Sequence, residues 1–154
     1  MSLAELIKRG GIYRDIPGTV PGEVLSALVK AFPVFPSVRK EKLLEAVLER
    51  EALVPTAVGN GIALPHPRNP LISEEGGQFT ALAFLENPVD WNALDGKPVD
   101  TLLFIVSSSA KGHLGTLSEL TFFCRQEKFI RLLRERVPLE ELLRFITEAE
   151  KNWN

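Results

Sequence analysis

The chain has 154 residues, 45% hydrophobic and 25% charged, which suits one compact domain that buries its core unaided. A net charge of −2 excludes a global basic field for nucleic acid, and the single cysteine, Cys124, excludes an intramolecular disulfide. Apolar runs such as LLFIV (102–106) are too short to span a bilayer, and MSLAELIKRGG at the start lacks a basic head followed by an apolar stretch. The expectation is therefore one cytoplasmic domain over 1–154, with no membrane insertion and no direct nucleic-acid binding.

In chain order, GGIYRDIPGTVPG (10–22) is dense in Gly and Pro and reads as a short strand flanked by turns. EVLSALVKAF then places Val24, Leu25, Leu28, Val29 and Phe32 at helical spacing. PVFPS (33–37) breaks that helix, and Ser37 is the expected N-cap of the next, VRKEKLLEAVLEREAL, with Leu43, Leu44, Val47 and Leu48 as its apolar stripe. After it the period changes. TAVG, IALP, FTALAFL and TLLFIV are short apolar or alternating runs that read as strands. DWNALDGKPVD (90–100) joins the last two through an Asp95-Gly96 turn. HLGTLSELTFFCRQ, EKFIRLLRER and PLEELLRFITEAEK return to helical spacing, with Pro138 in the first turn of the last. Two helices, a cluster of strands and three more helices predict an α/β sandwich with a mixed sheet flanked by helices.

The chain holds two histidines. His66 lies in GNGIALPHPRNP, after a strand-like run and between two prolines. Pro67 biases it toward extended backbone angles, so its imidazole should point in a defined direction. His113 follows SSSAKG and opens an apparent helix, where free N–H groups and partial positive charge suit phosphate and lower an imidazole's pKa. Local features leave three readings open for these rings: a nucleophile, a metal ligand, or a histidine that only occupies a turn. A metal site needs three or four ligands, and two distant histidines without an H-x-x-x-H pair supply too few. There is no G-x-S-x-G elbow, and GNG is not a G-x-x-x-x-G-K-[ST] phosphate loop.

The segments LLEAVLEREALVPTAVGNGIALPHPR, NPVDWNALDGKPVDTLLFIV and HLGTLSELTFF, in this order, resemble the type-2 enzyme IIA domains of the bacterial phosphotransferase system, the fructose, mannitol and nitrogen-regulatory group. The likeness spans about residues 20–135. It implies an α/β sandwich that accepts a phosphoryl group from an HPr-type carrier and passes it to a IIB partner, or signals to a regulated target by its phosphorylation state. It makes His66 the phosphoryl acceptor, His113 the second histidine that hydrogen-bonds the phosphoryl group, and Arg50 of EREAL the stabiliser of the phosphohistidine. Asn60, Gly61, Arg68 and Lys111 are further candidates for holding phosphate. No metal or organic cofactor is implied. A guanidinium suits the task because it grips phosphate oxygens bidentately and stays charged, although an arginine among helix glutamates also reads as a solvated charge.

One departure stands out. Where the family often has Gly and then a basic residue after the histidine, this chain has Pro67-Arg68, and proline removes a backbone N–H. The PHPRNP form resembles IIA-like domains joined to a helix-turn-helix domain in regulatory proteins. That implies an alternative role: a phosphorylation-impaired regulatory module of a longer chain. Leu64, Leu71, Ile72 and Trp91 are candidates for an apolar docking patch, with burial in the core as the competing reading for Leu64 and Trp91.

Overall fold

The computed structural model describes residues 1–73 and 76–152. Leu3–Gly10 form helix α1 and Ile12–Ile16 strand β1. Helices α2 (Pro21–Ala31) and α3 (Lys40–Leu53) follow, then strands β2 (Ala57–Gly59), β3 (Ile62–Ala63), β4 (Phe79–Val89) and β5 (Val99–Val106). Helices α4 (Ala110–Phe123), α5 (Glu127–Arg134) and α6 (Leu139–Lys151) complete the order.

The sheet runs β1-β4-β5-β3-β2. β1 lies parallel to β4 and β3 parallel to β5, while β4–β5 and β2–β3 are antiparallel, so the sheet is mixed. Side chains alternate along its two central strands. Ala81, Ala83, Leu102 and Phe104 face one core, covered by Val24, Leu25 and Leu28 of α2 and Leu43 and Val47 of α3. Leu82, Phe84, Leu103 and Ile105 face the other, covered by Leu3 and Ile7 of α1, Leu120 and Phe123 of α4, Phe129 of α5 and Ile146 of α6. Both central strands are thus buried on both faces, which explains their nearly continuous apolar sequence.

Three details differ from the sequence reading. α1 was not expected. It is short, yet Ser2 caps it: its hydroxyl accepts from the Glu5 N–H at 3.1 Å and donates to the Glu5 carboxylate at 3.2 Å. The Glu150 carboxylate of α6 accepts the Leu3 N–H at 3.1 Å and satisfies another free donor of this helix start. Second, Ser37 does not cap α3, which starts three residues later at Lys40 after Arg39. The Ser37 hydroxyl instead accepts from the Ser73 N–H at 3.2 Å. Third, α4 begins before His113. Ser109 is its cap and accepts from the Gly112 N–H at 3.0 Å.

Candidate functional site

His66 owes its place to β5. Ile62 and Ala63 pair with Thr101 and Leu102, and the Pro65 carbonyl then accepts the Ile105 N–H at 2.9 Å. Pro65 has no N–H to leave unpaired, so the chain continues along β5 past the end of β3. His66 therefore arrives beside the last residues of β5, and only 5% of it is exposed. Its Nδ1 lies 2.6 Å from the Leu64 carbonyl oxygen. A carbonyl only accepts, so Nδ1 carries the proton and Nε2 keeps its lone pair.

His113 reaches the same place from the other direction. β5 ends at Val106, Ser107 is buried just beyond it, and α4 turns back. His113 sits in the first turn of α4, and its N–H is already used by the Ser109 carbonyl at 3.0 Å. Its Nδ1 is 3.3 Å from the Ser107 hydroxyl. The two imidazole centres lie 4.8 Å apart with planes inclined at 52°. The fold thus brings together rings that are 47 positions apart in the chain, from 66 to 113.

Arg50 occupies the last turn of α3. Its Nη1 donates to the Val54 carbonyl at 2.6 Å. Its charge is felt by both rings. Burial is the first cause that lowers the His66 pKa, with the Leu64 carbonyl opposing and Arg50 adding to it. His113 is lowered by burial, then by His66, then by Arg50. Both imidazoles are therefore held toward the neutral form, and a neutral imidazole is a nucleophile. Arg68 shares an open cleft with Arg50, Leu53, Asn69 and Leu71, so two guanidinium side chains border one depression.

Other candidates lie elsewhere. Asn60 and Gly61 form the tip of the β2–β3 hairpin, at the opposite end of β3 from His66. The Asn60 N–H goes to the Asp95 carboxylate at 2.8 Å, and its side-chain amide to the Cys124 carbonyl at 3.4 Å. The Gly61 carbonyl accepts from the N–H groups of Asp100 and Thr101. These glycines serve a turn, with φ of +91° at Gly59 and +79° at Gly61, and a Cβ on either would stand 3.2 Å from the carboxylate of Asp95 or Asp100. Lys111 is two residues from His113, about 200° around the helix, and lines the groove between α4 and α1 with Leu3 and Glu119. Neither the hairpin tip nor Lys111 is brought to the histidine pair.

The proposed docking patch also needs correction. Leu64, Ile72 and Trp91 are buried at 1%, 2% and 2% exposure: Ile72 and Trp91 pack into the first core and Leu64 into the second, from segments that flank the strands. Leu71 is half-buried at the edge of the Arg50–Arg68 cleft. Among the described residues, Leu53 and Val54, three and four residues after Arg50, and Leu114, next to His113, are large apolar side chains that are exposed. Sequence reasoning also missed Ser107, whose only signal was a hydroxyl at a strand end six residues before His113. Among the described residues, no group of three or more His, Cys, Asp and Glu is placed to hold a metal ion, and no helix is long and apolar enough to cross a membrane.

The chain presents a mixed sheet between two helical layers, with two imidazoles held toward the neutral form meeting at the end of a central strand within the field of Arg50. The model of the family "Phosphoenolpyruvate-dependent sugar phosphotransferase system, EIIA 2" matches residues 12–149, and the chain belongs to that family. Its relatives include a "Nitrogen regulatory protein" of Klebsiella oxytoca, 37% identical over 112 residues that make up 71% of this chain and 68% of that protein. A protein of the same description from Pseudomonas aeruginosa is 28% identical and covers 96% of both chains. The crystal structure of nitrogen regulatory protein IIA-Ntr from Neisseria meningitidis superimposes with a TM-score of 0.78 at 25% identity, covering 93% of this chain and 97% of that one.

Proposed function

We propose that the chain is a phosphohistidine carrier of the bacterial phosphotransferase system, regulatory rather than devoted to sugar uptake. His66 Nε2 takes a phosphoryl group from a phosphorylated HPr-type protein and passes it to a IIB domain, or keeps it as a signal read by a target protein. The observation that carries this reading is the Nδ1–H bond from His66 to the Leu64 carbonyl, which leaves Nε2 as the nucleophile.

The Nε2 lone pair forms the new N–P bond as the donor's N–P bond breaks, and the donor ring leaves with the electron pair. The His66 Nδ1 proton stays where it is, held by the Leu64 carbonyl, so no acid or base is required. What remains is positioning and charge balance. In this reading the Ser107 hydroxyl, 3.3 Å from His113 Nδ1, is the donor of that pair, so the ring's own proton lies on Nε2 and meets a phosphoryl oxygen. Arg50 and Arg68 balance the phosphoryl charge. Leu53, Val54 and Leu114, each more than half exposed, form the apolar rim against which the carrier protein docks. The regulatory assignment rests on the relatives described as nitrogen regulatory proteins.

The test is incubation with phosphoenolpyruvate, enzyme I and a panel of HPr-type donors, read by intact mass. One acid-labile, base-stable phosphoryl group is expected on the wild type and none on His66→Ala. Equal incorporation in both proteins ends this reading.

A second reading is favoured by Pro67, which is buried beside His66 and offers no N–H to a phosphoryl oxygen. In it the domain binds its regulatory target unphosphorylated. Capture of that target would then persist in His66→Ala, and its loss in that variant would refute the idea.

A further inference from the structure

Between the end of α3 at Leu53 and the start of β2 at Ala57 the chain makes a three-residue connection, Val54-Pro55-Thr56. No helix or sheet ladder fixes it. Two short bonds do. Glu51 Oε2 accepts the Thr56 N–H at 2.6 Å, and Glu51 Oε1 accepts the Thr56 hydroxyl at 2.6 Å. Hydrogen bonds to a carboxylate are shorter and stronger than neutral ones, and on the Thr56 side, only 6% exposed, the clamp is buried, while Glu51 is half-buried.

Both functional side chains hang from this clamped segment. On one side, Arg50 Nη1 donates to the Val54 carbonyl at 2.6 Å, two residues before Thr56. On the other, the Thr56 carbonyl accepts the Leu64 N–H at 3.0 Å, and the Leu64 carbonyl accepts the His66 Nδ1–H at 2.6 Å. The path from Glu51 through Thr56 and Leu64 to His66 is thus continuous. Every link in it is a hydrogen bond or a peptide unit.

We propose that Glu51 is a positioning residue: by clamping Thr56 it orients both Arg50 and His66, and it holds the Leu64 carbonyl where it fixes the proton of His66 on Nδ1. The part of this inference that concerns phosphoryl transfer rests on the carrier reading. The part that concerns the His66 tautomer does not. Glu51→Gln can keep both contacts, because the Thr56 hydroxyl can turn to accept from the amide, but it exchanges two charge-assisted bonds for weaker neutral ones. Thr56→Val keeps the shape and the N–H but loses the hydroxyl bond. Thr56→Ser keeps both bonds.

The experiment records ¹⁵N spectra of the imidazoles in the intact unphosphorylated chain, alongside phosphoryl uptake from an HPr-type donor. In the wild type and Thr56→Ser, His66 Nε2 should show the shift of an unprotonated nitrogen. In Glu51→Gln and Thr56→Val a mixture of tautomers is expected, with uptake slowed about tenfold to a hundredfold, the scale of a misplaced reacting group. A merely structural role would lower the melting temperature and leave the tautomer of the folded protein unchanged. Wild-type tautomer and uptake in both variants overturn the proposal. If Glu51→Gln does not fold, Thr56→Val against Thr56→Ser decides alone. If the wild type takes up no phosphoryl group from any donor, the carrier reading fails while the spectra still decide the positioning role.

Discussion

The imidazoles of His66 and His113 lie 4.8 Å apart; burial and Arg50 make both harder to protonate, and His66 adds to the effect on His113. Because the His66 pKa sits below the ordinary histidine value, uptake of a phosphoryl group should stay flat as pH falls through that value and decline only below it. Proton linkage runs the same way. The folded state binds fewer protons than the unfolded one between the two pKa values, so the stability contributed by neutral His66 is complete above the ordinary value and is lost as pH falls through the folded one. Melting temperatures from about pH 5 to 7 should drop less steeply on the acid side in His66→Asn, since an amide never acquires a charge there. A wild-type slope in that variant would show that His66 does not titrate below its ordinary range.

Arg50 acts on both rings at once. Arg50→Gln removes the positive charge that helps lower their pKa values, so both should move upward in an NMR titration. Uptake should slow by about 10²–10³, the cost of losing one preorganised charge-stabilising donor. Arg50→Lys should keep much of the pKa effect and recover little of the rate, because an ammonium lacks the planar fork that can hold the Val54 carbonyl with one N–H and, in the carrier reading, a phosphoryl oxygen with another. Unmoved titration curves in Arg50→Gln would place the guanidinium's field elsewhere.

The sandwich was legible because its signals are local and repeated. Period-two and period-3.6 patterns in FTALAFL, TLLFIV and EVLSALVKAF survive folding, since burial of those faces is what makes the fold. Cap assignments were less secure, because Ser37 and Ser109 look alike in sequence and only tertiary partners decide which one meets a free helix N–H. His66 and His113 stood out as candidates through their neighbours. Arg50 did not, since a helical arginine among glutamates has the same local pattern whether it faces water or a site, and only the family resemblance raised it. Asn60 and Gly61 misled for the converse reason. Glycines that admit a positive φ look the same whether the turn approaches a phosphate or the side chains of Asp95 and Asp100. The Glu51–Thr56 clamp lies five residues apart, yet nothing in EALVPT marks the carboxylate as turned back on its own helix end.

Pro67 is the departure that most directly touches the chemistry. Pro67→Gly restores a backbone N–H next to His66. If that N–H reaches the phosphoryl group, the phosphohistidine should survive roughly fivefold longer against hydrolysis, the scale of one net hydrogen bond of about 1 kcal/mol. The unfolded chain gains freedom at the same time, so the variant should lose about 0.4–1 kcal/mol of stability. Timed loss of the phosphoryl mass and a denaturant titration separate the two effects. An unchanged lifetime together with the expected loss of stability would show that this backbone position never faces the phosphoryl group.

The family match starts at residue 12, so α1 lies outside it, although Leu3 and Ile7 are buried in the second core. Gly10 measures how closely α1 is seated. A Cβ there would stand 2.0 Å from the Thr80 carbonyl oxygen and 2.4 Å from its carbon, both backbone atoms of a central strand that cannot swing aside. Gly10→Ala must therefore push α1 off β4, at the upper end of the roughly 1–3 kcal/mol that overpacking costs, or beyond it. Gly22, in the first turn of α2, is the matched control. Nothing lies within 4 Å of a Cβ built on it and its φ is ordinary for any residue, so Gly22→Ala should stabilise by about 0.5 kcal/mol through the unfolded chain. Denaturant midpoints of the two variants should move in opposite directions. A Gly10→Ala protein as stable as the wild type would mean that α1 is not packed against Thr80 in solution.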